Sequence, residues 1–123
     1  MVVDPYLNSE FFIEFMPHAA AKKTVRGLTT KRNENHTVLL ATAGKWARDP
    51  ASTGRPVELK YAPKGALHDR LIIIDGREVW LITQSLKDIA KLSPASVTRA
   101  EIEVGQLKAE HYESVWQLST PLA

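Results

Sequence analysis

The chain contains no cysteine, so disulfides, thiolate metal sites and cysteine nucleophiles are excluded. An excess of one charge is also missing: sixteen Lys and Arg against fourteen Asp and Glu leave a formal net charge of +2. That balance does not demand a nucleic-acid partner, although a pI near 9.0 permits an anionic one. No apolar run is long enough to cross a bilayer, and "MVVDPYLNSE" lacks the basic start and long apolar stretch of a secretory leader. A cytoplasmic location is therefore expected. Gly44, Gly54 and Gly65 are isolated, which rules out a Gly-rich phosphate loop. There is no H-x-x-x-H and no histidine-carboxylate cluster of standard metal spacing, so neither a metal nor a cofactor is expected. Internal repeats and low-complexity tracts are absent as well.

What remains is ordinary globular material. Hydrophobic residues make up 44% and charged residues 24%, and 123 residues suit one domain spanning 1–123, with a core that needs no covalent staple. "MVVDPYL" reads as a short strand stopped by a proline. "NSEFFIEFMPHAA" has Asn8 or Ser9 as N-cap and apolar residues at 11, 12, 15 and 16, which predicts a helix ended or interrupted at Pro17. "TVRGLTTK" predicts a strand. "NENHTVLLATAGKWARD" predicts a helix with Val38, Leu39, Thr42 and Trp46 on one face. After the loop "DPASTGRP" (49–56), "VELKYAP" alternates as a half-buried strand.

"HDRLIIIDG" and "REVWLITQS" predict two strands, the first buried on both faces, joined by a hairpin at Asp75-Gly76. "SLKDIAKL" fits a short helix or an ordered loop, and "ASVTRA" fits a last strand. "AEIEVGQLKAEHYESVWQLS" has apolar positions 104, 107, 111 or 112, 115 and 118, an amphipathic closing helix. This order predicts an α/β protein, a mixed sheet flanked by helices.

The stretch "LHDRLIIIDG" (67–76) places a histidine, an arginine and an aspartate around an aliphatic strand. A local salt-bridge cluster at a sheet end is the commonest reason for such a grouping. The spacing offers more. His68 and Arg70 are two apart and share a face of an extended chain. An imidazole can attack or donate a proton near neutral pH, and a guanidinium can hold two phosphoryl oxygens. Asp75 lies at the far end of the strand, where it fixes a turn or supports a site assembled elsewhere.

"HDRLIIID" resembles the H-x-K-x-x-x-x-D signature of the phospholipase D-like superfamily, with Arg70 in the lysine position. "VVDPYL" looks like the "DPY" turn that follows the first strand in bacterial members. "EVWLITQSLKDIAK" looks like the "hIGASLKDLGKK" segment of a stand-alone prokaryotic branch with one motif. The resemblance runs from about residue 2 to residue 118. It implies a mixed sheet between helices and metal-independent phosphodiester cleavage through a phosphohistidine. It assigns His68 as nucleophile, Arg70 as the phosphate-binding cation, Asp75 as the motif aspartate and Ser85 as the small polar residue of the downstream segment.

One motif per chain implies a homodimer, since two histidines are needed, one to attack and one to protonate the leaving oxygen. His18, His36 and His111 lack the companions of a second motif. Nucleic acid is the expected substrate class, with another phosphodiester such as lipid behind it. The chain departs from the family in three places: Arg70 for lysine, Thr83 for glycine and the bulkier Gln84 beside it. The alternative reading is thus a degenerate domain that binds nucleic acid or protein without turnover. Met1 stands only three residues before Asp4, which fits a chain cut short before its first strand or a half taken from a longer protein.

The remaining features have plainer readings. His111 fits a partly buried core or interface histidine, and Trp46, Trp80 and Trp116 fit core anchors. Lys22, Lys23, Lys31 and Arg32 around the second strand read as solvated charge, with a basic lip for a phosphate backbone as the functional alternative.

Overall fold

The computed structural model describes residues 1–20, 22–31 and 36–122. Among the described residues seven strands form one mixed sheet: β1 (Val2–Val3), β2 (Val25–Thr30), β3 (Val57–Ala62), β4 (Leu71–Ile74), β5 (Glu78–Ile82), β6 (Val97–Arg99) and β7 (Thr120–Pro121). Their spatial order is β6-β5-β4-β1-β2-β3-β7. β1, β2 and β3 run parallel, whereas β4 is antiparallel to β1, and every further pairing is antiparallel. Among the described residues two long helices flank the sheet, α1 (His36–Arg48) and α2 (Ile102–Leu118). The expected α/β class with a mixed sheet is what the chain forms.

Alternation along the strands divides the core into two layers. On one face Val3, Leu28, Leu71, Ile73 and Val79 pack under Ala109, Tyr112, Val115 and Trp116 of α2. On the other, Val2, Leu7 and Ile82 pack with Phe11, Phe12 and Met16 and with Leu39 and Trp46 of α1. Each large side chain withdrawn from water in this way contributes about 1.5–3 kcal/mol. Polar contacts pin α2 to the sheet as well. Arg26 of β2 forms a paired contact with Glu113 (3.2 and 2.7 Å), and its guanidinium lies 5.0 Å from the Trp116 ring centroid. That Arg26 contact holds the Glu113 carboxyl below its ordinary pKa.

Several local expectations need correction. The segment expected as a helix from Asn8 or Ser9 is a widened helical turn, Phe11–Phe15, followed by a tight turn, Met16–His18. Asn8 does act at its start, since its Oδ1 accepts the Glu10 N–H (3.0 Å). Pro17 cannot extend a regular helix, and the apolar run coils just far enough to bury Phe11, Phe12 and Met16. α1 turns inward on Leu39 and Trp46, which leaves Val38 52% exposed rather than on the buried face. α2 is rotated from its expected face too. Gly105, Ala109, Tyr112 and Trp116 point inward, while Val104, Leu107 and Leu118 are exposed.

The strand expected over "HDRLIIIDG" is shorter, Leu71–Ile74, and is not covered on both faces throughout: Ile72 is half-buried and Ile74 exposed. The hairpin forms as expected. Asp75 and Gly76 both take left-handed backbone (φ 54° and 69°), and the Arg77 N–H donates to the Ile74 carbonyl (3.1 Å). "SLKDIAKL" is an ordered run of turns. β7, not expected from the sequence, follows α2 and closes on β3. Trp46 and Trp116 are core residues; Trp80 is only half-buried, its indole N–H held by Glu78 (2.9 Å).

Candidate functional site

β1 sits where the chain reverses direction across the sheet: its successor β2 pairs on one side, and β4 and β5 lie on the other. In open α/β sheets a crevice forms at such a switch, outside the carboxyl ends of the parallel strands. Four segments converge at that edge. They are Asp4-Pro5-Tyr6 after β1, Lys31 after β2, the connection Pro63–Arg70 after β3, and Thr83–Lys87 after β5. Because β4 is antiparallel to β1, its first residues meet the last residues of the others. Ser85 is thereby brought to the same edge as the neighbouring His68 and Arg70. Asp75 is not: it occupies the hairpin tip at the opposite edge, exposed and in left-handed backbone.

A cavity of about 380 Å³ opens between Tyr6, Arg70, Thr83, Gln84, Ser85, Lys87 and the acidic Asp88. Arg70 is half-buried, and its Nε is buried without a hydrogen-bond partner among the described residues. Leaving such a donor unpaired costs about 1–3 kcal/mol, while the Arg70 side chain at the cavity wall supplies the positive charge that an anion would meet. Lys87 adds a second cation, paired with Asp88 at 3.1 Å and 5.9 Å from the Tyr6 ring centroid. His68 is exposed, and it is not among the residues that line this cavity.

The floor is built around Asp4, 1% exposed. Its carboxylate accepts the Ser85 hydroxyl (2.9 Å to each oxygen), the Leu86 N–H (2.7 Å) and the Tyr6 N–H (2.9 Å). A buried carboxylate persists only with such a set of donors. Ser85 therefore lines the cavity with its hydroxyl proton committed to Asp4. Thr83 and Gln84, the bulkier departures from the family pattern, also border the cavity, but their side chains serve the neighbouring loop. Thr83 Oγ1 accepts the Ser96 N–H (2.9 Å); the Gln84 amide donates to Ser93 Oγ (2.7 Å), and its oxygen accepts the Ala90 N–H (2.8 Å).

Asp69, between His68 and Arg70, faces α2. It accepts hydrogen bonds from Lys108 Nζ (2.9 Å) and the Tyr112 hydroxyl (2.7 Å) on α2. Burial alone would raise its pKa; the Lys108 and Tyr112 hydrogen bonds overcome that and hold it below the ordinary value. Burial, then the bond to Asp69, push the Tyr112 hydroxyl far upward, so it stays protonated as the donor. Asp69 thus fixes the segment from which His68 and Arg70 project. Neither Asp69 nor, beyond its place in the "DPY" turn, Asp4 stood out in the sequence as a site residue. Strand alternation was the available signal for Asp69, since a residue between two that share one face must point to the other.

The other candidates are scattered. His111 is exposed, its ring edge-on to Tyr112 (4.8 Å), so it is not a core histidine. Lys22 and Lys23 precede β2 whereas Lys31 follows it, which puts them at opposite ends of the strand; Arg32 lies outside the described residues. No helix is long and apolar enough to cross a membrane among the described residues. Comparison of the chain with protein-family models, curated proteins and solved structures finds no match in any of the three.

Proposed function

We propose that the chain is a phospholipase D-like domain that hydrolyses phosphodiesters without a metal, acting as a homodimer, with nucleic acid the substrate class. What supports this reading is the convergence of Arg70 and Lys87 on one cavity at the switch-point edge, with the segment that carries His68 entering at the same edge. The Arg70 guanidinium binds the substrate phosphoryl oxygens. The His68 imidazole attacks phosphorus, a P–N bond forms, and the ester oxygen leaves with a proton from the second histidine. That histidine then takes a proton from water, whose oxygen displaces His68 from phosphorus. The second histidine is the partner subunit's His68, since His68 alone carries the motif in this chain.

Turnover of a generic phosphodiester and of an oligonucleotide tests the reading, with and without EDTA. Cleavage should persist in EDTA, His68→Ala should abolish it, and Arg70→Lys should retain or raise it. Loss of cleavage on chelation with rescue by a divalent ion would overturn the mechanism. The runner-up, a non-catalytic anion-binding domain, is favoured by one observation: Ser85 is tied to Asp4 rather than left to contact substrate. Anion binding without turnover in the wild-type protein, and little effect of His68→Ala, would select it.

A further inference from the structure

A second and larger cavity, about 760 Å³, lies on the other side of Tyr6. Its walls include Tyr6, Tyr61, Lys31, Lys64, Leu67 and Leu118, and no acidic residue is among the described residues lining it. Tyr6 borders both cavities, so the two adjoin one aromatic residue just after β1. The space falls within the range of small-molecule sites. Its chemistry is mixed in a particular way: two phenol rings and aliphatic walls for a flat apolar body, and two ammonium groups for negative charge.

We infer that this cavity receives an unpaired base of a single-stranded nucleic acid whose phosphate lies at Arg70. Aromatic side chains flanking a positively charged track are how single strands are held, because every base offers a π-face for stacking. In a duplex the same base is stacked and paired, and it must be extruded before it can enter a side cavity. The arrangement therefore favours single strands over duplexes. A lipid phosphodiester would match Arg70 but would leave two tyrosines and two lysines around an acyl chain, a poor use of their polar groups. This inference rests on the phosphate site proposed above, and its test separates the two.

Equilibrium binding is measured by fluorescence anisotropy with a short single-stranded oligothymidylate, an abasic strand of the same length and charge, and a duplex. The proteins are wild type, Tyr61→Ala, Tyr61→Phe and Arg70→Ala, each checked for folding by circular dichroism. The base-bearing strand should bind about ten-fold or more tightly than the abasic one, the scale of one stacked base. The duplex should bind more weakly than the single strand. Tyr61→Ala should erase the difference between base-bearing and abasic strands, and Tyr61→Phe, which keeps the ring, should preserve it. Equal affinity of wild type for both strands would overturn the inference, as would no oligonucleotide binding at all. Binding to anionic phospholipid vesicles, lost in Tyr61→Ala while base-bearing and abasic strands remain alike, would assign the cavity to a lipid instead. If Arg70→Ala leaves affinity for every strand unchanged, the phosphate site falls while the base preference remains readable.

Discussion

Asp4 and Asp69 show how much of a surface site depends on carboxylates that never reach the surface. Asp4→Ala would leave the Ser85 hydroxyl and the Leu86 N–H with no acceptor in a buried place. A cost of about 3 kcal/mol or more is expected, read from denaturant unfolding; a change below about 1 kcal/mol would mean the loop after β5 is held by other contacts. Asp69 makes a pH prediction. Its pKa is lower folded than unfolded, so its contribution is fully present above the unfolded value near 3.8 and is lost as pH falls through the folded value. Asp69→Asn should therefore destabilise the protein by about 1–2 kcal/mol at neutral pH and flatten the acid end of its stability profile. Identical pH profiles for variant and wild type would contradict that linkage.

The sequence made His68, Arg70 and Ser85 legible because a fixed spacing carries them. It could not show that Ser85 is spent on Asp4, since that bond joins residues 81 apart.

Among elements, both long helices were legible and each buried face was read in part: Leu39 and Trp46 of α1 and Tyr112 and Val115 of α2 are buried as expected, whereas Val38, Val104, Leu107 and Leu118 are exposed. α2 docks partly through Gly105 and Ala109, small residues buried against the sheet, with Arg77 and Val79 next to Gly105. An apolar count weights Val104 and Leu107 above them, and so shifts the expected stripe. Gly44 is different. It lies inside α1, and a methyl group added there would meet only a flexible Arg48 nitrogen, 3.6 Å away. Gly44→Ala should thus raise stability by about 0.5–1 kcal/mol through helix propensity alone, seen as a higher melting temperature. The homodimer proposed above would need an apolar face, and Val104 and Leu107, 43% and 68% exposed on α2, offer one. Leu107→Asp should convert a dimer to a monomer in light scattering at micromolar concentration, with the far-ultraviolet spectrum unchanged. A dimer that survives the substitution would place the interface elsewhere.

At the scale of the molecule, the mixed sheet was readable from the order of strand-like and helix-like runs, and the Asp75-Gly76 turn from its two residues. The strand order was not readable, because β1 is two residues long and its place between β2 and β4 depends on contacts with segments distant in sequence. That order is what gathers Lys31, Lys64, Arg70 and Lys87 at one edge. If a single strand runs across them, the logarithm of affinity should fall with the logarithm of salt concentration at a slope of about −2 to −3, allowing for Lys87 being already paired. A slope near zero would remove the backbone contacts.

The two outermost strands carry a different consequence. β6 is three residues long, and β7 is two, one of them Pro121, which has no N–H to offer. Among the described residues, neither of these two outer strands presents a long ladder of its own, although β7 pairs with only part of β3. Copies of this protein should consequently neither swap strands nor grow into fibrils by edge addition. Self-association has to proceed side chain against side chain, and should remain reversible on dilution.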